Sequence, residues 1–127
     1  MIRQHRAFEP HPGSVSAARD FVTAVLSEWA ASGPHPLLGA AQLVVSELAS
    51  NAVLHARTPF AVEVSADGDV LIAVADESGA APVMRRPSPD ALDGRGLYLV
   101  DQTSEEWGFD PTDGGKRVWC RLAPSPY

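Results

Sequence analysis

Residues 44–56 read VVSELASNAVLHA, and they are the most informative segment of the chain for its fold. It is the second half of a longer apolar segment whose spacing predicts a helix from Pro36 to about Ala56, with the proline in the first turn, where it is tolerated. Leu, Val and Ala side chains recur nearly all the way around this helix. That pattern is typical of a helix in the centre of a domain. We therefore expect the other elements to pack around it.

Three polar residues interrupt this apolar helix. Glu47, Asn51 and His55 are spaced four residues apart and so form a slowly drifting line on one face. The line is either a narrow solvent-exposed stripe or one wall of a cleft. In a cleft, Glu47 can orient or deprotonate a hydroxyl or a water, and the Asn51 carbonyl can bind a hard cation such as Mg2+. His55, near the helix end, is more typical of a C-terminal helix partner than of a ligand.

Short elements flank the central helix on both sides. Periodicity and turn residues predict a sheet-forming chain without βαβ alternation. The predicted elements are a strand at Ile2–Phe8, a helix from a serine cap at Ser14 or Ser16 to about Ala31, strands at 60–64 and 70–74 around an Asp-Gly turn, a short helix at 97–102, and a final hairpin of 106–109 and 117–122. This order predicts an α+β fold, a two-layer α/β sandwich with a mostly antiparallel sheet and helices on one face.

Length and composition exclude several classes of protein. The chain has 127 residues, which is the size of one domain. Ten Lys and Arg against sixteen Asp and Glu give a net charge of −6, which is unfavourable for direct binding of nucleic acid or anionic membranes. One cysteine excludes an internal disulfide. Neither a membrane-length apolar run nor a secretory signal is visible, so we expect a cytoplasmic protein.

Two further polar motifs follow the strands. Asp76 directly follows the strand predicted at 70–74, and Gly79 comes three residues later. Strand-end aspartates commonly start turns. Alternatively, Asp76 accepts a hydrogen bond from an exocyclic amine of a ligand, and Gly79 lets the backbone approach a flat ring. Gly94-Arg95-Gly96 precedes the predicted short helix. It is either a plain loop-to-helix junction or a phosphate site formed by backbone N–H groups and Arg95.

The order of these motifs resembles that of the Bergerat-fold ATPases, which include gyrase, histidine-kinase catalytic domains and the MutL repair proteins. The sequence is most similar to their small single-domain branch, the anti-sigma-factor serine/threonine kinases and related ATP-binding regulators of actinobacteria. The resemblance covers nearly the whole chain. It is carried by VVSELASNAVLHA (44–56), VADESG (74–79), GRGLYLVD (94–101) and GGKRVWCRL (114–122).

The resemblance implies a role for each matching residue. It also implies that residues 1–127 form a single histidine-kinase-like ATPase domain with an ATP lid at about 80–93. Glu47 matches the catalytic base, Asn51 the residue that holds Mg2+ on the phosphates, and Asp76 the carboxylate that reads the adenine amino group. The other implied nucleotide-binding residues are Gly79, Gly94, Arg95, Gly96 and Leu97.

The resemblance also implies a function, but two residues depart from the family pattern and leave the kinase activity open. It implies an anti-sigma factor with ATP- and Mg2+-dependent serine/threonine kinase activity toward an antagonist protein, a sigma factor as a further partner, and a homodimer. Many members carry Asp-x-Gly-x-Gly, whereas this chain has Ser78 and Ala80 at the two glycine positions. The larger residues narrow the rim of the pocket. They favour a nucleotide-sensing module with little or no phosphoryl transfer, whereas Glu47 and Asn51 favour the kinase. A third alternative is an interaction domain that has lost ATP.

Overall fold

A computed structural model describes residues 2–30, 33, 35–79 and 103–124. Along the chain, one strand is followed by two helices and then by two pairs of strands. They are β1 (Ile2–Phe8), α1 (Gly13–Trp29), α2 (Leu38–Asn51) with a π-helical turn (Ala52–Ala56), β2 (Phe60–Asp67), β3 (Asp69–Asp76), β4 (Glu106–Thr112) and β5 (Gly115–Leu122). Within these residues, no helix is both long and apolar enough to cross a membrane.

The strands of the described part form one antiparallel sheet in the order β1-β2-β3-β5-β4. Gly68, at φ 84°, makes the turn between β2 and β3, and Gly114, also at φ 84°, makes the turn between β4 and β5. Both positions need the left-handed backbone that glycine adopts without strain. The two hairpins join because β5 pairs with β3, which places Lys116 opposite Asp76.

The core lies between one face of this sheet and the two helices. Alternate residues of β2, β3 and β5 are buried, as period-two alternation requires for a sheet covered on one side. They pack with the apolar stripe of α1 and the inner face of α2 in one cluster that includes Leu26, Val44, Val62, Ile72 and Leu122. The predicted α+β sandwich is confirmed, with α2 against the central strands.

The helices begin differently from the sequence-based prediction. The proposed serine caps are wrong, since α1 begins at Gly13 and includes both serines within its turns. Instead, Nδ1 of His11 accepts a hydrogen bond from the Gly13 N–H at 3.0 Å, and Nδ1 of His35 accepts one from the Leu37 N–H at 3.1 Å. In both His-Pro pairs the imidazole satisfies an N–H that the first helical turn leaves unpaired.

Several element bounds also change. The central helix begins at Leu38 rather than Pro36 and becomes π-helical at Ala52. Each strand predicted within the two hairpins is longer than expected, because pairing across the sheet extends the ladders beyond the apolar runs. Pro111 is tolerated in β4, which is an edge strand. The predicted short helix at 97–102 and the predicted lid at 80–93 lie outside the described residues.

Candidate functional site

Asp76 lies at the end of β3 on the face of the sheet that the helices cover. It continues the buried alternation of Ile72 and Val74, and its side chain is 5% exposed. Oδ1 accepts a hydrogen bond from the Ser78 N–H at 2.9 Å. The Nζ atom of Lys116 lies 3.0 Å from Oδ2 and 3.1 Å from Oδ1. The carboxylate is therefore held in one orientation by two donors.

Sequence reasoning missed Lys116 as part of this site. The signal was present in the alternation of β5, where Lys116 has the same parity as the buried Val118, Cys120 and Leu122. A lysine on the core side of a strand needs a partner for its charge. The identity of that partner depends on the register between β3 and β5, which neither strand sequence specifies alone.

Backbone contacts fix the turn that follows Asp76. Gly115 is buried against this turn, and a Cβ atom there would overlap the carbonyl oxygen of Asp76 and lie 2.8 Å from the Glu77 Cα. Across the turn, the Glu77 N–H donates to Oγ1 of Thr58 at 3.0 Å. The backbone carrying Asp76 is thus packed against β5 on one side and hydrogen-bonded on the other to Thr58, in the segment that precedes β2.

The three polar residues of the central helix differ in their exposure to solvent. Glu47 and Asn51 are half-buried on α2, whereas His55 is exposed in the π-helical turn. This helix packs on β3 and β5, on the same side of the sheet as Asp76. Glu47 and Asn51 therefore belong to the helix layer that covers the Asp76 side of the sheet, while His55 lies in the π-helical turn at the end of that helix.

The remaining predicted residues fall into two groups. Gly79 is exposed, and a Cβ atom there would meet nothing within 4 Å. The others lie outside the described residues, so the structure does not test their predicted roles: Gly94, Arg95, Gly96, Leu97 and Ala80.

The described residues fit a Mg2+ ion that arrives bound to phosphates, because such an ion needs few protein ligands. No group of three His, Cys, Asp or Glu side chains that could hold a metal ion occurs among the described residues. Mg2+ bound with phosphates needs only one or two protein oxygens and takes its other ligands from phosphate and water. The half-buried amide of Asn51 can supply one such oxygen.

Cys120 is not a nucleophile of this site. Burial in the core raises the pKa of its thiol from 9.0 to about 12, because the charged thiolate loses its hydration there. A reactive cysteine needs a stabilised thiolate, and this environment disfavours one.

Comparison with known proteins identifies the family. A family model described as the histidine kinase-like ATPase domain matches residues 8–122. The chain belongs to this family. The match spans every element from the end of β1 through β5, so the ATPase-domain resemblance read from the sequence motifs is confirmed.

A solved structure shares the fold of this histidine kinase-like ATPase domain. It is the crystal structure of the RsbU and RsbW domains of Rv1364c from Mycobacterium tuberculosis, with a TM-score of 0.71 and 18% sequence identity. The similarity covers 97% of the present chain and 32% of that chain, so the chain spans about a third of the protein it matches. No curated protein matches significantly.

Proposed function

We propose that this histidine kinase-like ATPase domain binds Mg-ATP and acts as an anti-sigma factor that phosphorylates a serine or threonine of an antagonist protein. The observation that carries the proposal is the ATPase-domain match over residues 8–122, in which Asp76 ends a central strand on the face that α2 covers. The fold shared with a chain that contains an RsbW domain supports the regulatory part.

Each proposed role combines the family resemblance with the chemistry of the matching residue. The buried Asp76 carboxylate accepts a hydrogen bond from the exocyclic amine of adenine. Asn51 supplies an amide oxygen to Mg2+, which neutralises charge on the phosphates when it is bound. Gly94 to Leu97 are proposed to donate backbone N–H groups to phosphate.

Glu47 is the proposed general base for phosphoryl transfer. Its carboxylate accepts the proton of the incoming hydroxyl group, whose oxygen forms a bond to the γ-phosphorus while the bond from that phosphorus to the β–γ bridging oxygen breaks. The products are a phosphoserine or phosphothreonine and ADP. Half-burial suits this role, because a base must meet a substrate side chain yet lie close to the phosphates.

A nucleotide-sensing module without transfer is the second candidate. Lys116 already pairs with the Asp76 carboxylate, so an incoming amine must share that acceptor with an ammonium group. Sharing lowers the affinity gained from the contact and favours a domain that senses high nucleotide concentrations. In this case the partner-binding surface, rather than catalysis, carries the regulation.

Thermal unfolding tests the nucleotide site. A ligand at about 100 times its Kd stabilises the folded state by about 2.7 kcal/mol, so Mg-ATP is expected to raise the Tm by about 10 °C. Asp76→Asn should reduce the rise and Asn51→Ala should remove its dependence on Mg2+. Glu77→Gln, which alters the adjacent exposed carboxylate, is the matched control. An unchanged Tm at millimolar Mg-ATP would falsify the assignment of the site.

Labelled ATP distinguishes the kinase from the sensing module. The chain is mixed with candidate antagonist proteins, and transfer of the γ-phosphoryl group to serine or threonine is measured. Glu47→Gln should abolish transfer while keeping the Mg-ATP thermal shift, and Glu28→Gln, on the exposed side of α1, should leave both unchanged. Binding of ATP without transfer to any candidate supports the module.

A further inference from the structure

The ion pair at the candidate site joins two nearly buried charges. The Lys116 side chain is 12% exposed and that of Asp76 is 5% exposed, with Nζ and Oδ2 separated by 3.0 Å. Both groups have lost most of their hydration. Pairs of this kind add little net stability, because the desolvation penalty offsets the attraction. Stability alone therefore does not account for a lysine at this position.

The ammonium group changes what the carboxylate can recognise. Both carboxylate oxygens are acceptors, so Asp76 alone binds an N–H donor and repels a carbonyl oxygen. Lys116 places a charged donor beside the same two oxygens. Together the two side chains present an acceptor and a donor next to each other, and each can meet a different atom along one edge of a ring.

Purine rings present two complementary patterns along that edge. Adenine carries a donor on the 6-amino group beside an acceptor, N1. A 6-oxopurine such as guanine or hypoxanthine carries an acceptor, O6, beside the N1–H donor. A carboxylate with an adjacent ammonium satisfies both: Asp76 takes the N–H in each case, while Lys116 donates to N1 of adenine or to O6 of the oxopurine.

We infer that Lys116 determines base specificity and lets this site bind 6-oxopurine nucleotides as well as adenine nucleotides. The inference depends on the nucleotide site of the proposed function. Removal of the ammonium leaves O6 without a donor and beside a carboxylate whose charge is no longer compensated, whereas adenine loses only the contact at N1 and keeps its amine on the carboxylate. The loss therefore falls on the oxopurine ligands.

Binding of three nucleotides to the unmodified chain gives the first test. Dissociation constants for the Mg2+ complexes of ATP, GTP and inosine triphosphate are measured by titration calorimetry. Inosine triphosphate differs from ATP at the 6-position and N1 only, so it isolates the edge that Lys116 faces. We expect it to bind within about tenfold of ATP; binding about 100-fold weaker than ATP overturns the inference.

The variant Lys116→Met gives the second test. The ratio of the Kd for inosine triphosphate to that for ATP should rise by about tenfold to 100-fold, because a charged donor to O6 is lost. Arg117→Met is the matched control: it removes the neighbouring positive charge, which pairs with Glu63 at 3.3 Å rather than with Asp76. If the ratio is unchanged in a variant that still binds ATP, only the proposed role of Lys116 is overturned. Absence of binding by all three nucleotides to the unmodified chain overturns the proposed function as well.

Discussion

Replacing Gly115 by alanine is expected to damage the sheet at the candidate site more than any surface substitution. An added Cβ atom would overlap the Asp76 carbonyl oxygen and lie 2.8 Å from the Glu77 Cα. Ordinary contacts of a Cβ atom begin at 3.4 Å. The neighbouring atoms belong to backbone, so no side-chain rotation relieves the overlap, and the ends of β3 and β5 must separate.

The magnitude follows from what that separation breaks. The Asp76–Lys116 and Ala75–Arg117 positions pair across the two strands, and each ladder hydrogen bond contributes about 1 kcal/mol net. With the distortion of the buried ion pair, the loss in the free energy of unfolding is expected to be about 2–4 kcal/mol. For a chain of this size that corresponds to a fall in Tm of about 8–16 °C.

Urea unfolding followed by far-ultraviolet circular dichroism measures this loss, and the matched control is Gly39→Ala. Gly39 lies in the first turn of α2 with nothing within 4 Å of a Cβ atom, so alanine there should be neutral or stabilise by about 0.5 kcal/mol. A Gly115→Ala protein within about 0.5 kcal/mol of the unmodified chain would refute the packing argument. So would an equal loss in both variants, since that would indicate a general sensitivity to glycine replacement.

Three other substitutions or conditions test the core and the outer face of the sheet. Burial raises the Cys120 pKa from 9.0 to about 12, so the folded chain keeps the thiol protonated at pH values where the unfolded chain ionises it. The free energy of unfolding therefore keeps this contribution in full below about pH 9 and loses it between about pH 9 and pH 12. Cys120→Val should remove this part of the alkaline loss in urea titrations. Leu26→Ala, at a fully buried position, is expected to cost about 2–5 kcal/mol, whereas Leu54→Ala, at a side chain 62% exposed, should cost less than about 0.5 kcal/mol; equal losses would contradict the assigned core. In Gly108→Ala the new Cβ atom would lie 2.9 Å from Cζ2 of Trp119, so the indole must shift. We expect the free energy of unfolding to fall by about 1 kcal/mol and the tryptophan emission to change. An unchanged emission spectrum would count against this contact.

The fold class and the central helix are predictable from the amino-acid sequence alone. Apolar residues around residues 38–54, alternation in the strands and glycine at the two hairpin turns each indicate one local structure, and together they permit few packing arrangements. Motif order extended this to the ATPase family, which the match over residues 8–122 confirms. Glu47, Asn51 and Asp76 stand out in the sequence as candidate site residues because each interrupts or ends an apolar element. Their proposed roles stay predictions.

The surroundings of those three residues depend on tertiary contacts that the sequence pattern does not reveal. The π-helical turn, the histidine contacts at the helix starts and the partner of Asp76 all depend on atoms distant in sequence or on backbone geometry that several residue types can adopt. Local propensity acts over a few residues, whereas the register between β3 and β5 places Lys116 against a carboxylate forty positions earlier in the chain. That contact exists because the two hairpins pair with each other through β3 and β5 inside one sheet, a consequence of packing that no single segment encodes.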